Sequence, residues 1–232
     1  MTNTGTNTGT NTGTDPGTYT GHAAPGGPAA ERRLPGLTIN KISVGPMDNA
    51  CYVLTCTASG EQLLIDAAND AARLLPLIPQ LVTIVTTHQH ADHWQALAEV
   101  AATTGARTVA HPLDAGPLPV PPDRLVEHGD TIDVGEQALT VVHLRGHTPG
   151  SIALLWTPPA GAPHLFSGDC LFPGGPGNTQ QDPQRFTSLL DDLEDRVFGP
   201  LPDQTWVYPG HGDDTTLGVE RPQLTTWRQR GW

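Results

Sequence analysis

Apolar positions begin to organise at Leu37. From there short β-branched or aliphatic runs alternate with helix-like stretches. LTINKISV, CYVLTC and QLLID read as strands, a short Ala/Leu turn follows near Ala71, and LVTIVTT reads as the next strand. Further strands are expected at ALTVVHL, SIALLW, HLFSG and TWVYP. This alternation is the sequence form of an α/β layer protein. Two helices stand out. The stretch from His93 to Thr104 places Trp94, Leu97 and Ala101 on one face and meets a stop signal at Gly105. The stretch from Pro183 to Phe198 has Asp182 as N-cap, proline at its first position, and Phe186, Leu189, Leu190, Leu193 and Val197 on a core-facing stripe. Two long irregular connections, GPLPVPP and FPGGPGNTQQD, are of the length that often carries function.

Ahead of this patterned region, MTNTGTNTGTNTGT repeats a unit too short and polar to repay its ordering entropy. Residues 1–33 are therefore expected to be a disordered tail, and residues 34–232 a single domain. The tail dilutes the composition, 37% hydrophobic and 16% charged over 232 residues, and the remainder is ordinary for a globular chain.

Charge narrows the function. Acidic residues outnumber basic ones 24 to 12, a formal −12, and Lys41 is the only lysine. That balance argues against a chain that binds nucleic acid by neutralising phosphates. Cys51, Cys56 and Cys170 follow no CxxC spacing, so a disulfide framework is not expected and a reducing compartment is. No signal-like N-terminus and no run of roughly 18 apolar residues is present, so a cytoplasmic protein without a membrane partner is expected.

The chemistry is concentrated in VTTHQHADHW. His88, His90, Asp92 and His93 put four metal-ligand side chains into six positions at the end of an apolar strand. His88 and His90, two apart in extended chain, project to one side, whereas Asp92 and His93 turn toward a different point; the spacing suits two neighbouring metals. Three more candidates each follow a glycine at a strand end: His147 in LRGHTPGS, Asp169 in FSGDCLF and His211 in YPGHGDD. A glycine there lets the chain bend so that the next side chain points over the strand ends, where open α/β sheets place their sites.

Together, QLLID ending in Asp66, THQHADH, GHTPGS, SGDCLF and YPGHG resemble, in order, the motifs of the metallo-β-lactamase superfamily. The resemblance implies a four-layer αββα sandwich. It implies that His88, His90 and His147 hold one divalent metal, that Asp92, His93 and His211 hold a second, and that Asp169 bridges them, with zinc expected and iron or manganese as alternatives. Asp66 resembles the buried carboxylate that orients the ligand loop, and Asp92 the residue that both ligates and orients the attacking water. Cys170 reads as a buried small hydrophobe, and His22, His111, His128, His143 and His164 as packed or turn residues. The FPGGPGNT segment could present backbone N–H groups to an anionic substrate or be a mere connection.

Within the superfamily, an aspartate at the bridging position resembles the glyoxalase II, lactonase and nuclease branches. Only 21 residues follow His211, whereas glyoxalase II carries a further helical region for glutathione, so the chain looks most like the short glyoxalase II-like proteins. The expected activity is hydrolysis of a thioester of a small thiol, one such as mycothiol, with an acylated thiol as substrate. The alternatives are a persulfide dioxygenase using one iron on His88, His147 and Asp169, a lactonase or other ester or amide hydrolase, and a binding module whose metals serve folding only. Asn178 stands where the dioxygenases carry an arginine.

Overall fold

The computed structural model describes residues 19–231; the Thr/Gly/Asn repeat lies outside the described residues. The first sheet runs in the order β1 (Ala30–Arg33), β2 (Leu37–Val44), β3 (Asn49–Cys56), β4 (Gln62–Ile65), β5 (Leu81–Val85), β6 (Arg107–Ala110), β7 (Arg124–Leu125). It is antiparallel as far as β4 and parallel from β4 to β7. The second sheet is built from β8 (Thr131–Val134), β9 (Gln137–His143), β10 (Ile152–Trp156) and β11 (His164–Gly168). After the small ribbon of β12 (Leu171–Phe172) and β13 (Gly175–Pro176), it is completed by β14 (Trp206–Pro209) and β15 (Thr215–Thr216).

Side-chain alternation along these strands produces the layers. In β3, Ala50, Tyr52, Leu54 and Cys56 face the second sheet, while Cys51 and Val53 face outward. In β10, Ile152, Leu154 and Trp156 face the first sheet and Ala153 faces outward. Both sets are buried, because each sheet is covered on its outer face as well. The helices α1 (Ala71–Leu74) and α2 (Leu97–Thr104) cover the first sheet. The helices α3 (Pro183–Leu193), α4 (Leu217–Glu220) and α5 (Leu224–Arg230) cover the second through Leu189, Leu193, Leu217 and Trp227. The result is the expected αββα sandwich. Each fully buried Leu, Ile or Phe contributes about 1.5–3 kcal/mol, so its stability is spread over three apolar layers. Among the described residues no helix is long and apolar enough to cross a membrane, and the three cysteines are unpaired and buried.

Two boundaries differ from expectation. Ordered chain begins before residue 34: Ala30–Arg33 pairs with Thr38–Lys41. AERR carries no apolar alternation to announce a strand; it is held by the ladder and by Arg32, whose guanidinium lies 4.0 Å over the Trp206 ring and donates to the Tyr208 hydroxyl. The helix expected from His93 starts at Leu97, because residues 91–93 form a separate 3₁₀ turn and Trp94 Nε1 donates to Gln89 O. The long helix starts as expected, with Asp182 accepting from Gln184 N and Arg185 N, and its last turn, Glu194–Phe198, widens to a π-helix.

Candidate metal centre

The ends of β5, β9, β11 and β14 meet at one edge of the sandwich, tied across the sheets by Ile152 N to Thr87 O (2.9 Å) and Ala50 N to Gly210 O (2.8 Å). His88 and His90 leave β5, Asp92 and His93 sit in the 3₁₀ turn, His147 follows β9, Asp169 follows β11 and His211 follows β14. All seven residues singled out from the sequence converge here. The donor atoms of His88, His90 and His147 lie within 4.8 Å of one another, as do those of Asp92, His93 and His211. Asp169 stands between the two groups, 3.6 Å from His147 Nε2, 3.4 Å from His93 Nε2 and 3.4 Å from His211 Nε2.

Close approach explains the glycines at two of these turns. A Cβ on Gly210 would fall 2.1 Å from Asp169 Oδ1, and one on Gly146, whose φ is 137°, would fall 2.4 Å from Arg185 O. No other residue fits at either position.

The hydrogen bonds on the far side of each ring fix which nitrogen faces inward. His147 Nδ1 donates to Asn178 O (2.8 Å), His211 Nδ1 to Met47 O (2.9 Å) and His93 Nδ1 to Asp66 Oδ2 (2.8 Å). Thr87 Oγ1 donates to Asp66 Oδ2 (2.8 Å), so it accepts from His88 Nδ1 (3.0 Å). In the neutral rings Nε2 is therefore a lone pair in all four. These lone pairs point at one another: His88 Nε2 and His147 Nε2 are 3.3 Å apart, and His147 Nε2 is 2.9 Å from His90 Nδ1. On the other side His93 Nε2 and His211 Nε2 are 3.1 Å apart. Lone pairs in such contact repel unless a cation or a shared proton lies between them. Asp169 Oδ1, buried, has no hydrogen-bond partner among the described residues. Nitrogen-rich groups flanking an oxygen with unused acceptor capacity are the donor set that divalent zinc, iron or manganese takes, so the residues fit two such ions.

Electrostatics agree. Burial opposes the charged form of His93, but Asp66 and Asp169 outweigh it and raise the ring to about 10. Burial likewise opposes ionised Asp169, yet His211 and His93 hold it far below the usual carboxylate range. Burial lowers His88 well below its ordinary value and His147 to about 4, keeping both rings neutral as ligands require. The carboxylates thus draw positive charge to the His93 side of the site, while His88 and His147 refuse protons.

Asp66 Oδ1 accepts from Thr87 N (2.7 Å), so the carboxylate touches both His93 and, through Thr87, His88. Cys170 is fully buried, burial pushes its thiol up, and it is no nucleophile. His143 packs against His111 with ring centroids 4.1 Å apart and reaches Pro149 O, away from the triads. The FPGGPGNT segment holds His147 through the Asn178 carbonyl.

Sequence reading did not single out Asn49, whose Nδ2 donates to Asp92 Oδ2 (2.9 Å), nor Asp114. Buried Asp114 accepts from Gln89 N (3.0 Å), Gly150 N (2.8 Å) and the Thr148 hydroxyl, tying the His88–His90 loop to the His147 loop. Arg185 likewise donates to Gly146 O (2.7 Å) and His147 O. Only the position of Asn49, at the start of a strand after a Gly-Pro turn, offered a hint.

A family model described as the metallo-beta-lactamase superfamily matches residues 44–211. An uncharacterized protein of Aquifex aeolicus is 32% identical over 80% of this chain and 94% of its own length. A hydroxyacylglutathione hydrolase of Fuscovulum blasticum is 35% identical over 75% of this chain; the match spans 67% of that relative. The solved structure of TTHA1623 in a di-iron-bound form is similar with a TM-score of 0.65 and 32% identity, covering 78% of this chain and 96% of that one.

Proposed function

This chain belongs to the metallo-beta-lactamase superfamily, and from that premise we propose that it is a dinuclear metal-dependent hydrolase acting on the thioester of a low-molecular-weight thiol. The observation that carries the reading is the pair of facing ligand triads with Asp169 between them. His88, His90 and His147 would hold one cation, Asp92, His93 and His211 the other, and Asp169 would bridge. When bound, the two dications lower the pKa of a water held between them toward about 7 and polarise the carbonyl of the substrate.

The remaining work falls to the chain. Asp92, one-fifth exposed and held at Oδ2 by Asn49, orients the attacking water toward the carbonyl. Phe172, its ring centroid 6.3 Å from that of His211, and Met47, exposed in the turn whose carbonyl holds His211, offer apolar surface to an acyl group. A thiolate departs without a strong acid, which suits a site with no buried thiol or lysine free to donate a proton: Cys170 is packed away and Lys41 is engaged elsewhere. The hydroxyacylglutathione hydrolase at 35% identity supports an acyl-thiol substrate, with the thiol left open.

Elemental analysis of the purified protein and a panel of S-acyl thiols assayed with and without chelator test this together. About two zinc, iron or manganese ions per chain and chelator-sensitive thiol release are expected. Turnover that ignores the chelator, or none across the panel, overturns the hydrolase; about one iron per chain with oxygen uptake on a persulfide replaces it with the dioxygenase.

A further inference from the structure

Lys41 is the chain's only lysine and is 1% exposed. It follows Leu37 and Ile39 along the face of β2 that packs between the sheets, a position where alternation calls for an apolar residue. Its three ammonium protons meet three acceptors: Gly21 O (2.7 Å), Gly212 O (2.6 Å) and Asp214 Oδ1 (2.6 Å). Asp214, its side chain fully buried, accepts at Oδ2 from Tyr19 OH (2.7 Å) and Trp206 Nε1 (2.8 Å), and its own N–H donates to Gly21 O (3.1 Å). Tyr19 packs beside Trp206, ring centroids 5.9 Å apart. One buried ion pair therefore joins β2, the segment at residues 19–21 and the turn at 212–214, and that turn begins at His211.

A buried pair of this kind is not needed for stability, since well-packed apolar groups often serve as well or better. What it supplies is geometry. Gly212 is the residue next to His211, and the same turn is held on its other side by Gly212 N to Asp48 O (3.3 Å) and His211 Nδ1 to Met47 O. We propose that Lys41 and Asp214, with the segment Tyr19–Gly21 strapped over them, are positioning residues for His211, setting the angle at which its Nε2 meets Asp92 and His93 and hence the affinity for the second cation. The inference rests on the dinuclear reading above. It makes the segment ahead of β1 a working part of the site's scaffold.

Removing one charge alone would strand the other in the interior, so the test removes both, as Lys41→Met with Asp214→Leu, in the full chain. A milder variant, Gly21→Ala, attacks the strap: Gly21 has φ of 82° and its added Cβ would sit 2.8 Å from Asp214 Cβ. Cobalt(II) titrations followed by d–d absorption and equilibrium dialysis read the two equivalents separately, with far-UV circular dichroism reporting folding. In the wild type two equivalents bind. In the double variant the first keeps its affinity and the second weakens about 10- to 100-fold, and Gly21→Ala moves the second in the same direction. Unchanged affinity for both, or an equal loss in both, overturns the proposal. If the double variant does not fold, an unchanged second equivalent in Gly21→Ala overturns it alone. Wild-type protein that binds fewer than two cobalt ions instead sinks the dinuclear reading on which the proposal stands.

Discussion

Asp169 is the residue on which both halves of the site depend, because its two oxygens face His93 on one side and His147 and His211 on the other. Asp169→Asn removes the negative charge while keeping the shape. It is expected to lower bound metal to one ion or fewer per chain and to cut thioester turnover by at least about a hundredfold, read by elemental analysis alongside kcat/KM; full metal loading with near-normal turnover would remove the bridge. A different histidine controls acid stability. His164 is buried in a stack with Trp156 and Tyr208, and burial, with Arg32 nearby, lowers it to about 3. The unfolded chain binds its proton near pH 6.5, so acid favours unfolding: the contribution is fully present above about 6.5 and is lost down to about 3, by roughly 1.4 kcal/mol per pH unit. His164→Gln should flatten the urea stability–pH profile by one proton in that window, and an unchanged slope would refute the assignment. These two residues show what one-dimensional reading reaches. Asp169 was legible because a glycine-led strand end repeated at three places beside a dense His/Asp cluster. The buried stacking of His164, like the roles of Asn49, Asp114, Lys41 and Asp214, depends on partners up to 195 residues away that no local pattern announces.

Among the elements, the connections differ most from their sequence reading. Interior strands were legible because their apolar runs coincide with burial on both faces, as in Leu37–Val44. The short edge strands Ala30–Arg33 and Arg124–Leu125 carry too few apolar residues to register; ladder pairing holds both, helped in the first by Arg32. The ligand loop between β5 and α2 reads as helix from His93 because Trp94, Leu97 and Ala101 share a helical spacing. Asp66 and the Gln89 carbonyl hold it as a separate turn, and the helix waits until Leu97. Asp114 ties that loop to the one carrying His147, which yields a prediction at this scale. Asp114→Asn puts an amide N–H₂ among donors that need an acceptor, so at least one of Gln89 N, Gly150 N and the Thr148 hydroxyl loses its partner. Cobalt affinity at the His88–His90–His147 triad should fall about 10- to 100-fold with the second equivalent less affected. An equal loss at both, or none, would show that the two loops hold their positions without it.

At the scale of the whole molecule, three apolar layers hold the two sheets together, but the edge where their strands end is built of groups that repel one another. Ring nitrogens of five histidines face inward, three carboxylates stand among or behind them, and the chain as a whole carries a formal −12. A cation bound there acts on the folded state alone, because the unfolded chain scatters donors that lie up to 123 residues apart between His88 and His211. Ligand linkage then applies: free metal at a thousandfold excess over Kd stabilises by about 4 kcal/mol per site. For a domain of this size each kcal/mol moves Tm by about 2–4 °C, so one site is worth about 8–16 °C. Calorimetry with added zinc and with chelator should therefore show a Tm separation of at least about 8 °C, growing with free zinc concentration, while Asp169→Asn shows less of it. A Tm indifferent to zinc and chelator would mean that the sandwich tolerates its crowded edge unaided, and that the histidines are kept apart by water and protons rather than joined by metal.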